Sequence, residues 1–230
     1  RGQGSEHSSM LIHVTRLTLV QGKVFTQVEE AVKRMKQRLI RRIDHEALVA
    51  QLKDLWESDF VPTCAEVAAR VPEAEGALQV PTWEEVLEAL PAAVSDIEVR
   101  IVNGTAKDAL DYSEPGKGLK VVAIGGDKLS RGLTLEGLCV SYFVRTTKMY
   151  DTLMQMGRWF GYRPGYVDLC RLYTTEDLVE WFEHIADAAE ELREEFDTMA
   201  ESGGTPLDYG LRVQSHSVLL VTSPLKMRNA

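Results

Sequence analysis

Five short apolar runs, too far apart to be joined as hairpins, constrain this chain more than any other feature. They are Met10–Thr15, Ile97–Val102, Leu119–Ile124, Leu138–Val144 and Tyr166–Tyr173. Antiparallel neighbours need only a two-residue turn, whereas parallel neighbours need a crossover of about a dozen residues or more. Helical patterns or crossover-length loops separate the runs here. The spacing therefore predicts an α/β fold with a mainly parallel sheet flanked by helices.

The longest separation follows the first run. Between about Val24 and Trp56, Val28, Val32, Met35, Leu39, Ile43, Leu48, Leu52 and Leu55 recur near helical spacing. Pro62 precedes a second helical stretch, Thr63–Arg70. Pro81-Thr82 opens a third, with Glu85 three residues after Thr82 as a capping box. Pro72 and Pro91 punctuate these pieces. Residues 24–95 thus read as a helical insertion within a single lobe spanning 1–230. Met149–Phe160 also has helical character. After Thr175, the stripe Leu178, Phe182, Ile185, Ala189, Leu192, Phe196 and Met199 marks a long helix stopped by Gly203-Gly204, with Trp181 and Phe182 expected in the core. Leu211–Thr222 is expected to add a last strand.

Several function classes fall away on composition. The three cysteines, Cys64, Cys139 and Cys170, have no CxxC spacing, which argues against a zinc ribbon or disulfide scaffold and fits a reducing cytoplasm. No apolar run approaches the ~20 residues of a membrane span, so no membrane partner is expected. The chain starts at Arg1 rather than Met, which suggests a piece of a longer polypeptide. Its net charge is −9, yet the charge is polarised. Residues 117–173 hold nine Lys/Arg against four acids, and Lys33, Arg34, Lys36, Arg38, Arg41 and Arg42 form a second basic cluster. Eleven acids sit in 176–201. Such segregation permits a polyanion at one face.

Two stretches carry candidate chemistry. In Val121–Gly137, VVAIGGDKLSRGLTLEG, an apolar strand runs into Gly125-Gly126-Asp127, where parallel sheets bind ligands and glycines let backbone amides approach a phosphate. In Met154–Gly165, MQMGRWFGYRPG, Arg158 and Arg163 are set among aromatic residues and glycines. Guanidinium forks suit phosphoryl oxygens because they are planar and permanently charged. Trp159 and Tyr162 could stack on a base or wedge into the core. His13 reads as a core residue. The five histidines form no HxxxH pair, and no lysine follows an acid by two positions. That argues against a nuclease centre here.

These segments, in this order, resemble the second RecA-like lobe of superfamily 2 helicases and translocases. LIHVT is similar to the motif IV strand, Asn103-Gly104 to the turn after the next strand, VVAIGGDKLSRGL to motif V and GRWFGYR to motif VI. The wording of QMGRWFGYRPGYVDLCRLY is closer still to a bacterial group, the Z-one endonuclease domain. The resemblance implies a motor lobe of a nucleic-acid-dependent ATPase. Arg158, Arg163 and Gln155 would act at the γ-phosphate. Gly125, Gly126, Asp127, Arg131, Gly132 and Gly157 would face nucleotide. Thr15, Arg16, Asn103, Gly104 and Lys128 would follow a DNA or RNA backbone. ATP and Mg²⁺ would be held only together with the N-terminal RecA-like lobe of the same protein, because this chain has no GxxxxGK[ST] and no acidic quartet.

The departures are specific. Gly126 stands where the family has the motif V threonine, and Thr134 where it has aspartate. Gln155 lies one position late, and two extra residues separate the arginines. Their alternative implication is a helicase-like module that binds or scaffolds without turnover.

Overall fold

The computed structural model describes residues 4–70, 80–102, 110–112, 118–126, 135–145, 149–156, 165–203 and 218–220. β1 (Ser8–His13) leads into α1 (Thr18–Arg41), α2 (Glu46–Leu55), a π-helical turn (Trp56–Phe60), α3 (Val61–Arg70) and α4 (Trp83–Ser95). The strands β2 (Ile97–Val102), β3 (Lys120–Gly125) and β4 (Leu138–Phe143) follow. Then come α5 (Tyr150–Met156), a 3-10 turn (Val167–Leu169), β5 (Arg171–Tyr173) and α6 (Glu176–Glu201). The chain divides into two compact units, 1–143 with 159–173 and 144–158 with 174–230. No helix among the described residues is long and apolar enough to cross a membrane.

The first unit is built on one five-stranded sheet in the order β2-β3-β1-β4-β5, with every pair parallel. This is the α/β architecture that the spacing of the apolar runs predicts. β1 is the middle strand, and its register sets Ile12 beside Ile124 of β3 and Tyr142 of β4. On one face Ile12, Val122 and Ile124 form a core, covered by Val24, Phe25 and Val28 from α1. Alternation turns Leu11 and His13 to the other face. There His13 is fully buried and meets the Phe143 ring edge-on at 5.3 Å.

Where described, residues 24–95 are helical apart from the turn at 42–45 and the extended residues 80–82 before α4, and α1 extends that stretch back to Thr18. α1 is itself a layer on the sheet, in contact with β2 and β3. β1 correspondingly ends at His13, two residues short of the apolar run. The Thr15 hydroxyl accepts from the Leu17 amide at 3.1 Å, which turns the chain out of the sheet and toward α1. The capping box of α4 is present as the sequence predicts: Glu85 N donates to Thr82 Oγ1 at 3.3 Å, and Thr82 N donates to Glu85 Oε2 at 2.7 Å. Pro91, expected to punctuate, lies inside α4. Its interior cost of about 3 kcal/mol is offset by packing of α4 on α1, where Val94 is buried. Lys36 of α1 also donates to Ser95 O at 3.0 Å and Ile97 O at 2.6 Å, serving carbonyls at the end of α4.

Tyr166–Tyr173 is not one strand. Val167–Leu169 closes a 3-10 turn with Asp168 fully buried, and only Arg171–Tyr173 pairs with β4. In the second unit, α5 packs on α6, with Leu153, Leu178, Ile185 and Ala188 buried. Along the α6 stripe Leu178 and Ile185 are buried, Trp181, Phe182, Ala189, Leu192 and Met199 are half-buried, and Phe196 is exposed. Thr175 caps α6 through Leu178 N, and Gly203 follows it with positive φ. Of the expected last strand, Leu220 forms a parallel bridge with Met149; 211–217, 221 and 222 lie outside the described residues.

Candidate functional site

Parallel pairing of β1 with β3 brings two sequence-distant turns together at the carboxyl edge of the sheet. Ile12 pairs with Ile124, so Thr15 and Arg16 leave the sheet beside Gly125 and Gly126. The approach is close. A Cβ built on Gly126 would lie 2.6 Å from Gln21 Nε2 and 3.3 Å from both Arg16 Cα and Thr15 O. A side chain at 126 would therefore have to displace the buried Gln21 amide. The sequence reads this glycine as the loss of a threonine hydroxyl; the packing supplies the reason no side chain stands there.

Gln21 is the polar residue at this junction. It is 2% exposed, and its Nε2 donates to Thr15 O at 2.9 Å. Its Oε1 is buried and accepts no hydrogen bond among the described residues. Sequence reasoning did not single it out, although a signal existed. Gln21 lies three, four and seven residues before Val24, Phe25 and Val28, in register with the stripe that covers the sheet. A glutamine in that register must be buried with a partner.

α1 starts at this edge without a side-chain cap, because its N-cap residue is Leu17. The helix is 24 residues long, and its N-terminal amides and the positive end of its dipole lie beside exposed Arg16. Strand order adds to this. The connection from β1 runs to β2 on one side, whereas β4 is followed by β5 on the other, making a topological switch at the β1–β4 boundary, across β1 from the Gly126 junction. Crevices at such switches are where open α/β sheets take ligands.

The model of one known family, the Z1 domain, matches residues 1–220. The chain belongs to the Z1 domain family. No curated protein and no solved structure matches it. The match covers every strand of the sheet and the whole Thr15–Gly126 junction, so this carboxyl edge is part of the Z1 domain itself.

Of the residues singled out from the sequence, Thr15, Arg16, Gly125 and Gly126 are brought together in this Z1 domain. Gln155 lies in α5 of the second unit, half-buried and two residues after fully buried Leu153. Asn103, Gly104, Asp127, Lys128, Arg131, Gly132, Gly157, Arg158 and Arg163 lie outside the described residues. So do Thr134, Trp159 and Tyr162. No group of three or more His, Cys, Asp or Glu is placed to hold a metal ion among the described residues. The chain contains no P-loop sequence.

The basic band of residues 117–173 is partly consumed by structure. Lys120 pairs with Asp96 at 3.8 Å. Arg171 donates through Nε to both Asp59 oxygens, at 3.1 and 3.0 Å, and through Nη1 to the Asp168 and Cys170 carbonyls, both at 2.9 Å. Its guanidinium also covers the Phe60 ring at 4.4 Å. Arg171 thereby ties the π-helical turn to the start of β5. The Arg171 hydrogen bond holds the Asp59 carboxyl below its ordinary pKa. A depressed carboxyl stabilises the fold above the unfolded-state value of about 3.9, and that stabilisation disappears as pH falls through the lower folded-state value. The stability gap between the native chain and Arg171→Gln should therefore be constant near neutrality and narrow below about pH 4. Thermal melts from pH 7 to 2.5 measure it; a gap that stays constant with pH rules the pairing out.

Proposed function

We propose that this Z1 domain is the C-terminal motor lobe of a nucleic-acid-dependent ATPase, similar to the second lobe of superfamily 2 helicases and translocases. Its carboxyl edge contacts the backbone of a bound strand, and Arg158 and Arg163 act on the γ-phosphate of ATP bound to another lobe of the same polypeptide. The junction of Thr15-Arg16 with Gly125-Gly126 carries this reading. Two segments that resemble motifs IV and V are 109 residues apart in sequence, from Arg16 to Gly125, and meet at the carboxyl edge of the sheet, one strand from the switch. The uncapped start of α1 and the exposed Arg16 give that edge the positive potential a phosphate backbone requires.

In this reading the chain does not hydrolyse ATP alone. Turnover needs the lobe with the P-loop, and a nucleic acid strand raises it by ordering the two lobes. ATP hydrolysis by the full-length polypeptide, with and without single-stranded DNA or RNA, should rise on adding the strand, while the 230-residue chain remains inactive. Hydrolysis by the chain alone, or turnover indifferent to either nucleic acid, defeats the proposal. Strand binding without turnover by the full-length polypeptide would instead identify a binding lobe.

A further inference from the structure

We infer a second nucleic-acid contact on this domain: a row of arginines on α1 that binds the phosphate backbone of a duplex. Arg34, Arg38 and Arg41 follow one another at i, i+4 and i+7, so they share one face of α1 over about 10 Å. All three are exposed, as are Lys33 and Arg42 beside them. Arg34, Gln37, Arg38, Arg41, Ile43 and Asp44 line a shallow groove of 210 Å³. None of the five cations has an ion-pair partner within 4.0 Å among the described residues, although Asp44 lines the same groove and Glu30 lies one turn before Arg34. By contrast Lys53, Arg70, Arg100, Lys120, Arg171 and Arg193 are all paired. In a chain of net charge −9, acids are plentiful, yet this cluster of five is left without them.

The turn that follows the row is unusual in the same place. Arg42 caps α1 with φ 54°, and Asp44 has φ 46°. Glycine is the favoured residue for such a cap, and a non-glycine there is disfavoured. An arginine held in that conformation extends the cationic surface past the last turn. Ile43 is the one apolar side chain among the groove residues, so recognition there is ionic.

The chemistry selects the partner. Guanidinium forks bind phosphate oxygens bidentately, and about 10 Å matches the axial rise of three nucleotides of one strand. The position separates this contact from the strand groove proposed above. α1 runs back from the carboxyl edge, and Lys36 already reaches Ile97 at the amino end of β2. The row therefore lies at the opposite end of the strands from Gly126, and it needs neither nucleotide nor a second lobe.

The test uses the 230-residue chain, a labelled duplex of about 30 base pairs and no ATP. Anisotropy titrations are run from 50 to 300 mM NaCl on the native chain and on Arg34→Gln/Arg38→Gln/Arg41→Gln. The triple variant is expected to bind at least tenfold more weakly, with the slope of log K against log salt shallower by about 2 to 3. Arg34→Lys/Arg38→Lys/Arg41→Lys, which keeps the charge, should retain most of the slope. Lys53→Gln/Arg193→Gln removes charge elsewhere and should leave both readings unchanged. If the glutamine variant fails to fold by circular dichroism, Arg38→Gln alone is measured, with a slope change near 1 expected. Unchanged affinity and slope overturn the proposal. So does competition by poly-aspartate as effective per charge as by duplex, which would make the partner an acidic protein. A variant that only lowers the melting temperature also overturns it, because the arginines would then serve the α1 dipole alone.

Discussion

Arg158→Ala/Arg163→Ala, made in the full-length polypeptide, is expected to lower nucleic-acid-stimulated ATP turnover at least 10³-fold. An arginine acting on a transferring phosphoryl group contributes roughly 10³–10⁵ in rate. That contribution is made in the transition state, so kcat should fall while KM for ATP changes little. The single variants separate the roles. The arginine that reaches the γ-phosphate should account for nearly all of the loss, and the other should affect mainly the coupling of turnover to nucleic acid. Lysine should not rescue the first, because an ammonium cannot reproduce a planar bidentate fork. The melting temperature of the 230-residue chain should be unchanged in the double variant, which distinguishes lost chemistry from lost structure. Full turnover in the double variant would leave the domain without a motor role, whatever it binds.

The parallel sheet was legible because its evidence is local. Ile97–Val102 alternates and is bounded by an Asp and an Asn, and β2 occupies those residues. Thr82 with Glu85 announced the start of α4, and Thr175 that of α6. Errors fell where tertiary contacts decide. Tyr166–Cys170 has strand-like composition, but a buried Asp168 and the Arg171 bonds to Asp59, Asp168 and Cys170 hold the segment in a turn before β5 begins. Pro91 reads as a boundary, yet α4 continues through it, since Lys36 and the α1 packing support the helix from outside. The helical stripe through Phe196 is regular in sequence, yet Phe196 is exposed while Leu178 and Ile185 are buried.

The site divides in the same way. Gly125-Gly126 is visible as a turn after a strand, and Thr15-Arg16 as the end of another. Their contact is a property of register, because β1 and β3 are adjacent only through a pairing that spans more than a hundred residues. Gln21 shows that register, not residue type alone, decides the burial of a polar side chain. Its position, in step with Val24, Phe25 and Val28, fixes its burial, and its amide chemistry then fixes what can stand at 126.

That relation makes the second large effect predictable. Gly126→Thr, which sets at 126 the residue that the proposed motor-lobe reading expects there, should destabilise the domain by about 2–3 kcal/mol. The new Cβ would stand 2.6 Å from Gln21 Nε2, so the amide must leave, breaking its 2.9 Å bond to Thr15 O. The half-buried Thr15 carbonyl and the buried Gln21 amide would then lose their partners, at about 1–3 kcal/mol for an unsatisfied group. The 3.3 Å approaches to Arg16 Cα and Thr15 O leave little slack in the backbone. Gln21→Ala alone removes the same bond and leaves a small void, for about 1–2 kcal/mol. Gly126→Thr/Gln21→Ala combines the two changes in the one arrangement where the threonine has room. Its cost should fall short of the sum by at least 1 kcal/mol, the signature of residues in contact. Urea denaturation of the four proteins closes the cycle. Additivity within about 0.5 kcal/mol would mean that Gln21 does not control position 126, and the glycine would need another explanation. Favourable coupling would make the glycine at 126 a consequence of how α1 is seated on β1 and β3. Strand affinity in the double variant then measures what the hydroxyl contributes once the space is restored.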